Sequence, residues 1–127
     1  MIRISREYER IGDNAVNIAD LRKYTNIKVG SDVYQRIEAM CKLTSDMLEG
    51  SIDVLKSKDK KQAPIIVVKD DEIDQYFHEN QQMIIREMSK DKASIESLAN
   101  LLLVNRYLER SGDHIVNVMR QVESGNY

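Results

Sequence analysis

Apolar side chains recur at every third or fourth position along most of this chain, the spacing that gathers them on one face of an α-helix. Four such stretches can be read. The first runs from about Ser5 to Lys23 with Tyr8, Ile11, Ala15 and Ile18 as its apolar row. From Tyr24 to Gly30 the pattern breaks at β-branched Thr25, Ile27 and Val29, which reads as a connection. Ser31 or Asp32 then offers a side-chain oxygen to the first free backbone N–H groups of a second helix, running to about Lys58. On it Val33, Met40, Met47 and Val54 recur every seven residues, flanked by Tyr34, Cys41, Leu48 and Leu55 with Ile37 and Thr44 between, a double seam suited to antiparallel packing. Cys41 is expected to be a small buried residue of this seam.

Ser57 to Lys61 is a charged turn in which Asp59 is a candidate cap, and Pro64 places the regular start of the third helix near Ala63. That helix should reach about Lys90 and bury Ile66, Ile73, Phe77, Met83, Ile84 and Met88. After a turn at Lys90 to Lys92, Asp91 or Ser94 can cap a fourth helix to about Val122, with Leu101, Val104, Leu108, Ile115, Met119 and Val122 buried and Gly125 and Asn126 ending it. Composition strengthens this reading: there is no Trp, one Phe and one Pro. The expected fold class is therefore all-α, an antiparallel helical bundle.

A 127-residue chain with 42% hydrophobic residues supports one modest core. Its longest apolar runs, Ile65 to Val68 and Leu101 to Val104, are far short of the roughly 20 residues of a bilayer span. The formal net charge is −2, with acids and bases mixed along the chain, which argues against nucleic acid as a partner. A single cysteine cannot form an internal disulfide and leans the reading toward a reducing compartment.

The most informative pattern is a repeat. Arg6-Glu-Tyr-Glu-Arg-Ile-Gly-Asp13 returns as Arg106-Tyr-Leu-Glu-Arg-Ser-Gly-Asp113, with Val16 and Asn17 matched by Val116 and Asn117. Most of the shared letters are polar, so core packing does not force them, and duplication of a helical unit does. On a helix, Glu9 and Asp13 fall one turn apart on a narrow stripe, as do Glu109 and Asp113. The third helix carries a related pair, Asp70 and Asp74. Carboxylates one turn apart repel, so each pair calls for cations nearby, either arginines or metal. Gly12 and Gly112 each cost about 1 kcal/mol inside a helix relative to alanine, which suggests close approach of a neighbour at both.

With these motifs, Glu9-Arg-Ile-Gly-Asp13, Glu109-Arg-Ser-Gly-Asp113 and Asp70-Asp-Glu-Ile-Asp74, the chain resembles the PhoU family, whose members have two homologous three-helix units. The resemblance implies that residues 1–24 are the last helix of a first unit and residues 25–127 a complete second unit. It implies a metal surface made by Asp70, Asp74, Glu109 and Asp113, and half of another from Glu9 and Asp13. Iron and zinc are the ions that the family suggests, and oxygen-only ligation also suits magnesium, manganese or calcium. The implied role is regulation of bacterial phosphate uptake through contact with a phosphate transporter or sensor-kinase complex. The implied location is cytoplasmic, at the inner face of the plasma membrane through a partner or an absent transporter portion. Similar domains also form the cytoplasmic tails of sodium/phosphate cotransporters. Because the first two helices of the first unit are absent, either the chain is a fragment of a longer polypeptide or its first helix, left with a free apolar face, packs against another chain, for which a homo-oligomer is expected.

Plainer readings stand beside these. The acids can be surface groups neutralised by Arg6, Arg10, Arg106 and Arg110, in a structural interaction bundle without metal. His78, one turn after Asp74, and His114, next to Asp113, invite a ligand reading, but His114 projects well around the helix from Asp113 and is better placed for a surface or interhelix hydrogen bond. A redox di-metal protein of the ferritin-like kind needs Glu-x-x-His pairs, which neither histidine provides. No phosphate loop, nucleophilic triad or zinc spacing is present, and the chain is not expected to be an enzyme.

Overall fold

A computed structural model describes residues 2–26 and 31–125. Four helices follow in order: α1 (Ile2–Arg22), α2 (Asp32–Ser57), α3 (Ala63–Lys90) and α4 (Ile95–Ser124). Single 3₁₀ turns, Lys60–Gln62 and Lys92–Ser94, precede α3 and α4. No strand occurs among the described residues. The fold is the expected all-α bundle, and none of its helices is long and apolar enough to cross a membrane.

The helix ends follow local chemistry. Ser31 Oγ accepts from the backbone N–H of Tyr34 at 3.2 Å, so of the two candidates serine caps α2 and Asp32 is its first residue. Asp59 caps the 3₁₀ turn through Lys61 N–H at 3.1 Å, and Pro64 sits in the first turn of α3, where no helical N–H is lost. The start of α4 differs from expectation. Neither Asp91 nor Ser94 caps the backbone; the Ser94 hydroxyl instead donates to Asp91 Oδ2 at 2.8 Å. At the other end Gly125 takes a left-handed φ of 82° and closes α4. The rest of the connection at Ile27 to Gly30, and Asn126, lie outside the described residues.

Consecutive helices α2, α3 and α4 run antiparallel and share one core, in which Met40, Met47, Ile73, Ile84, Ile115, Met119 and Val122 are wholly buried. The long seam is α3 against α4, while α1 rests chiefly on α4. This arrangement corrects two expectations. The buried face of α1 is Ile4, Ile11 and Asn14, and Ala15 points to solvent because a single supporting helix covers only a narrow stripe. Asn14 tolerates its burial by donating to Ser111 Oγ at 3.2 Å. Cys41 is exposed, not buried: α1 does not close over α2 there, and an apolar groove stays open between Ile18, Tyr34, Ile37, Leu101 and Val104 with Cys41 on its wall. Phe77, Met83 and Met88 are only partly buried, at the edge of the core.

Two buried asparagines lock α2, α3 and α4 together. Asn80 Nδ2 donates to Asn105 Oδ1 at 3.2 Å, and Asn105 Nδ2 donates to the Phe77 carbonyl at 3.0 Å. Arg36 Nε of α2 donates to Asn80 Oδ1 at 2.9 Å while its Nη2 pairs with Glu79 at 2.7 Å. Asn80→Ala is expected to cost about 2 kcal/mol in urea unfolding, because Asn105 and Arg36 each lose a partner inside the bundle. The double change Asn80→Leu with Asn105→Leu should cost less than the sum of the single changes, since it removes both buried amides together.

Candidate metal centre

Asp70 and Asp74 are one turn apart on α3, and Glu109 and Asp113 one turn apart on α4. The seam between α3 and α4 brings the two pairs to one place. Carboxylate oxygens of Asp70, Asp74 and Asp113 lie within 4.8 Å of one another, and Glu109 stands near enough to feel the charges of Asp113 and Asp74. Gly112 permits the approach: a Cβ there would stand 2.7 Å from Asp70 Oδ1 and 3.3 Å from Ile73 Cδ1. The expectation of close approach therefore holds at Gly112. It fails at Gly12, where a Cβ would meet nothing within 4 Å, because no helix lies over that face of α1.

The electrostatics of the cluster are unfavourable for bare anions. Burial, then the charges of Asp74, Asp113, Glu109 and Asp71, push Asp70 up to about 7. Asp74 is raised by burial and by Asp113 and Asp71, partly opposed by His78. Glu109 is raised by burial and by Asp113, with Arg106 pulling the other way. Asp70 Oδ1 is shut off from solvent and has no hydrogen-bond partner. A buried acceptor in that condition costs roughly 1–3 kcal/mol, more when charged. A cation at this point would give the atom its missing partner and offset the mutual repulsion, so the donor set fits a hard or borderline metal ion.

The other candidate acids are not gathered in this way. Glu9 and Asp13 are exposed on α1, and Glu9 joins no cluster of acids among the described residues. Asp13 faces a groove of about 430 Å³ across the α1–α4 seam, where Arg10, Arg110, His114 and Asp113 also stand. Direct neutralisation by arginine does not occur: among the described residues Arg6, Arg10, Arg106 and Arg110 make no ion pair. His114 has the interhelix role expected of it, with Nδ1 2.6 Å from Glu7 Oε2, and Asn117 Nδ2 lies 3.4 Å from the same oxygen. Sequence reasoning missed Glu7, since in the repeat it is matched by Tyr107 and falls outside the shared letters. His78 is exposed and stacks edge-on with Phe77.

Comparison with known proteins agrees with this architecture. The PhoU domain model matches residues 37–122. A phosphate-specific transport system accessory protein PhoU homolog of Clostridium acetobutylicum is 31% identical over 92% of this chain and 53% of its own length. A PhoU homolog 1 of Methanothermobacter thermautotrophicus is 30% identical over 92% of this chain and 54% of its own length. The chain thus spans about half the length of the curated relatives it matches. The crystal structure of the phosphate transport system regulatory protein PhoU from Streptococcus pneumoniae superposes with a TM-score of 0.81 at 28% identity, over 96% of this chain and 59% of that one. Four helices in this order, matched by sequence across most of α2 to α4 and in three dimensions across nearly the whole chain, place the protein in the PhoU domain family.

Proposed function

We propose that this chain is a regulatory helical module of a phosphate transport system, cytoplasmic and non-enzymatic, which acts by contact with a phosphate transporter or its sensor kinase. We further propose that Asp70, Asp74 and Asp113, with Glu109 beside them, hold a divalent metal that pins α3 to α4 and fixes the surface offered to a partner. The observation that carries the metal reading is Asp70 Oδ1, a buried acceptor without a partner among carboxylates from two helices. The ion's contribution is charge: it replaces repulsion along the seam with attraction to a common centre. Magnesium, manganese and iron suit oxygen donors, and zinc is the poorer fit in the absence of a histidine or thiolate.

Residues 1–24 then represent the closing helix of a first unit, and Glu9 with Asp13 the half of a second metal surface. The repeat supports this. Val116 is 8% exposed, whereas its counterpart Val16 is 60% exposed, so a further helix packed over α1 would bury the face that the bundle already buries on α4. A further segment of the same polypeptide, another copy of the chain or a different protein could each supply it, and self-association is the expectation for the 127-residue chain by itself.

Calorimetric titration with Mn²⁺ or Fe²⁺ tests the metal reading. The parent should show saturable uptake, and Asp74→Ala or Asp113→Ala should weaken it at least about tenfold, roughly 1.4 kcal/mol. Equal and negligible uptake by all three proteins would remove the metal and leave a bundle whose Asp70 is simply protonated. The regulatory reading is tested separately, by whether the parent chain binds the purified cytoplasmic ATPase of a phosphate transporter or a phosphate sensor kinase.

A further inference from the structure

A second charged feature of the molecule has no part in the carboxylate cluster. Where the start of α1 meets the end of α4, a groove of about 460 Å³ runs along their seam. Arg3, Arg6 and Arg10 stand on its α1 wall and Arg120 on its α4 wall, with the amides of Asn117 and Gln121 between them. The spacing of the three α1 arginines, three and then four residues, puts them on one stripe, where like charges destabilise the helix. No ion pair relieves them among the described residues. Glu7 is the sole acid of the lining, and its carboxylate is already engaged by His114 at 2.6 Å. Four guanidiniums facing one occupied carboxylate stand out in a chain whose net charge is −2.

The chemistry of the lining narrows the ligand. It contains no aliphatic or aromatic side chain, so a docked peptide would find no anchor there. Guanidinium groups present forked N–H donors that match phosphate oxygens in pairs, and the side-chain amides add further donors. Arg3 and Arg10 are separated by roughly 10 Å along the helix axis. A single phosphate meets only neighbouring members of such a row, while a chain of phosphoryl groups meets all of it. We propose that this groove binds a condensed or esterified phosphate with two or more adjacent phosphoryl groups. It shares no residue with the metal cluster and stands or falls separately from it.

The test is calorimetry on the metal-stripped 127-residue chain at fixed ionic strength, with tripolyphosphate, ATP, orthophosphate and sulfate as probes. Tripolyphosphate should bind saturably at one site and more tightly than orthophosphate or sulfate. Arg6→Gln combined with Arg120→Gln should weaken it at least about tenfold, since each guanidinium makes charge-assisted bonds to phosphate oxygens. Arg86→Gln on α3, outside the groove, should leave it unchanged, and thermal unfolding checks that each variant is folded. ATP binding as tightly as tripolyphosphate would mean that the phosphoryl chain alone is recognised; tighter binding of ATP, still lost in the double variant, would identify a nucleotide as the source. The proposal is overturned if no probe saturates, if sulfate equals tripolyphosphate, or if Arg86→Gln weakens binding as much as the double variant does.

Discussion

Asp70→Asn is expected to make the metal-free chain more stable than the parent at pH 8, although it removes a charged group from a candidate binding site. In the unfolded chain Asp70 ionises at its ordinary value near 3.8, whereas in the folded chain burial and neighbouring carboxylates hold its proton up to about 7. Below pH 4 the carboxyl is neutral in both states and no penalty exists. Between about 4 and 7 the unfolded state gives up its proton while the folded state keeps it, so this group's contribution to stability falls as pH rises. Above 7 the folded state carries an anion in a poor site at full cost. Asparagine keeps the shape without the charge. Solvent reaches part of the cluster and screens the repulsion, so the gain is about 1–2 kcal/mol. Thermal unfolding with chelator present at pH 5, 6, 7 and 8 would read it as an upward shift of several degrees at pH 8 that shrinks toward pH 5. A residual slope from Asp74 and Glu109 should survive, as both are also raised. Superimposable pH profiles for parent and variant would mean that Asp70 ionises freely and that its occluded oxygen bears no cost. With Mn²⁺ added the order should reverse, since an ion bound only by the folded state at 100 times its Kd adds about 2.7 kcal/mol to the parent.

Much of this site was legible in the sequence for a geometric reason. Two acids one turn apart on each of two neighbouring helices must lie on stripes, and a short connection makes the helices antiparallel, so the stripes meet if the register allows. Register was the missing quantity. It is set by contacts that leave little trace in an apolar pattern, above all the Asn80–Asn105 bond and the fit of Gly112 over Asp70 and Ile73. A search for apolar rows passes over a buried asparagine by construction. The same limitation explains Asn14, which takes the buried place that an alanine seemed to claim, and Cys41, whose exposure depends on how far α1 leans away from α2. The arginine groove was invisible for another reason: Arg3 and Arg120 lie at opposite ends of the chain, and only the α1–α4 crossing brings them together.

Gly112→Val and Gly12→Val should behave oppositely, and the contrast isolates the seam from the helix that carries it. Valine is the better helix former of the two residues by a few tenths of a kcal/mol, so an exposed Gly→Val exchange is neutral or slightly favourable. That is the expectation at Gly12 in the isolated chain, at concentrations too low for self-association, where a Cβ meets nothing within 4 Å. At Gly112 the first added carbon falls 2.7 Å from Asp70 Oδ1 and within 3.5 Å of two carbons of Ile73, a residue with no exposed surface and no room to retreat. The two methyl groups of valine deepen the overlap. Relief requires α3 and α4 to part, at a cost of about 3 kcal/mol, the upper range for overpacking a core. Parting also moves Asp70 away from Asp113, so metal uptake should fall together with stability in Gly112→Val and change in neither respect in Gly12→Val. Urea unfolding of the two variants, with and without Mn²⁺, reads both effects. Equal stability would mean that the seam at Gly112 has slack. A stable Gly112→Val chain with full metal uptake would place the ion elsewhere than between α3 and α4.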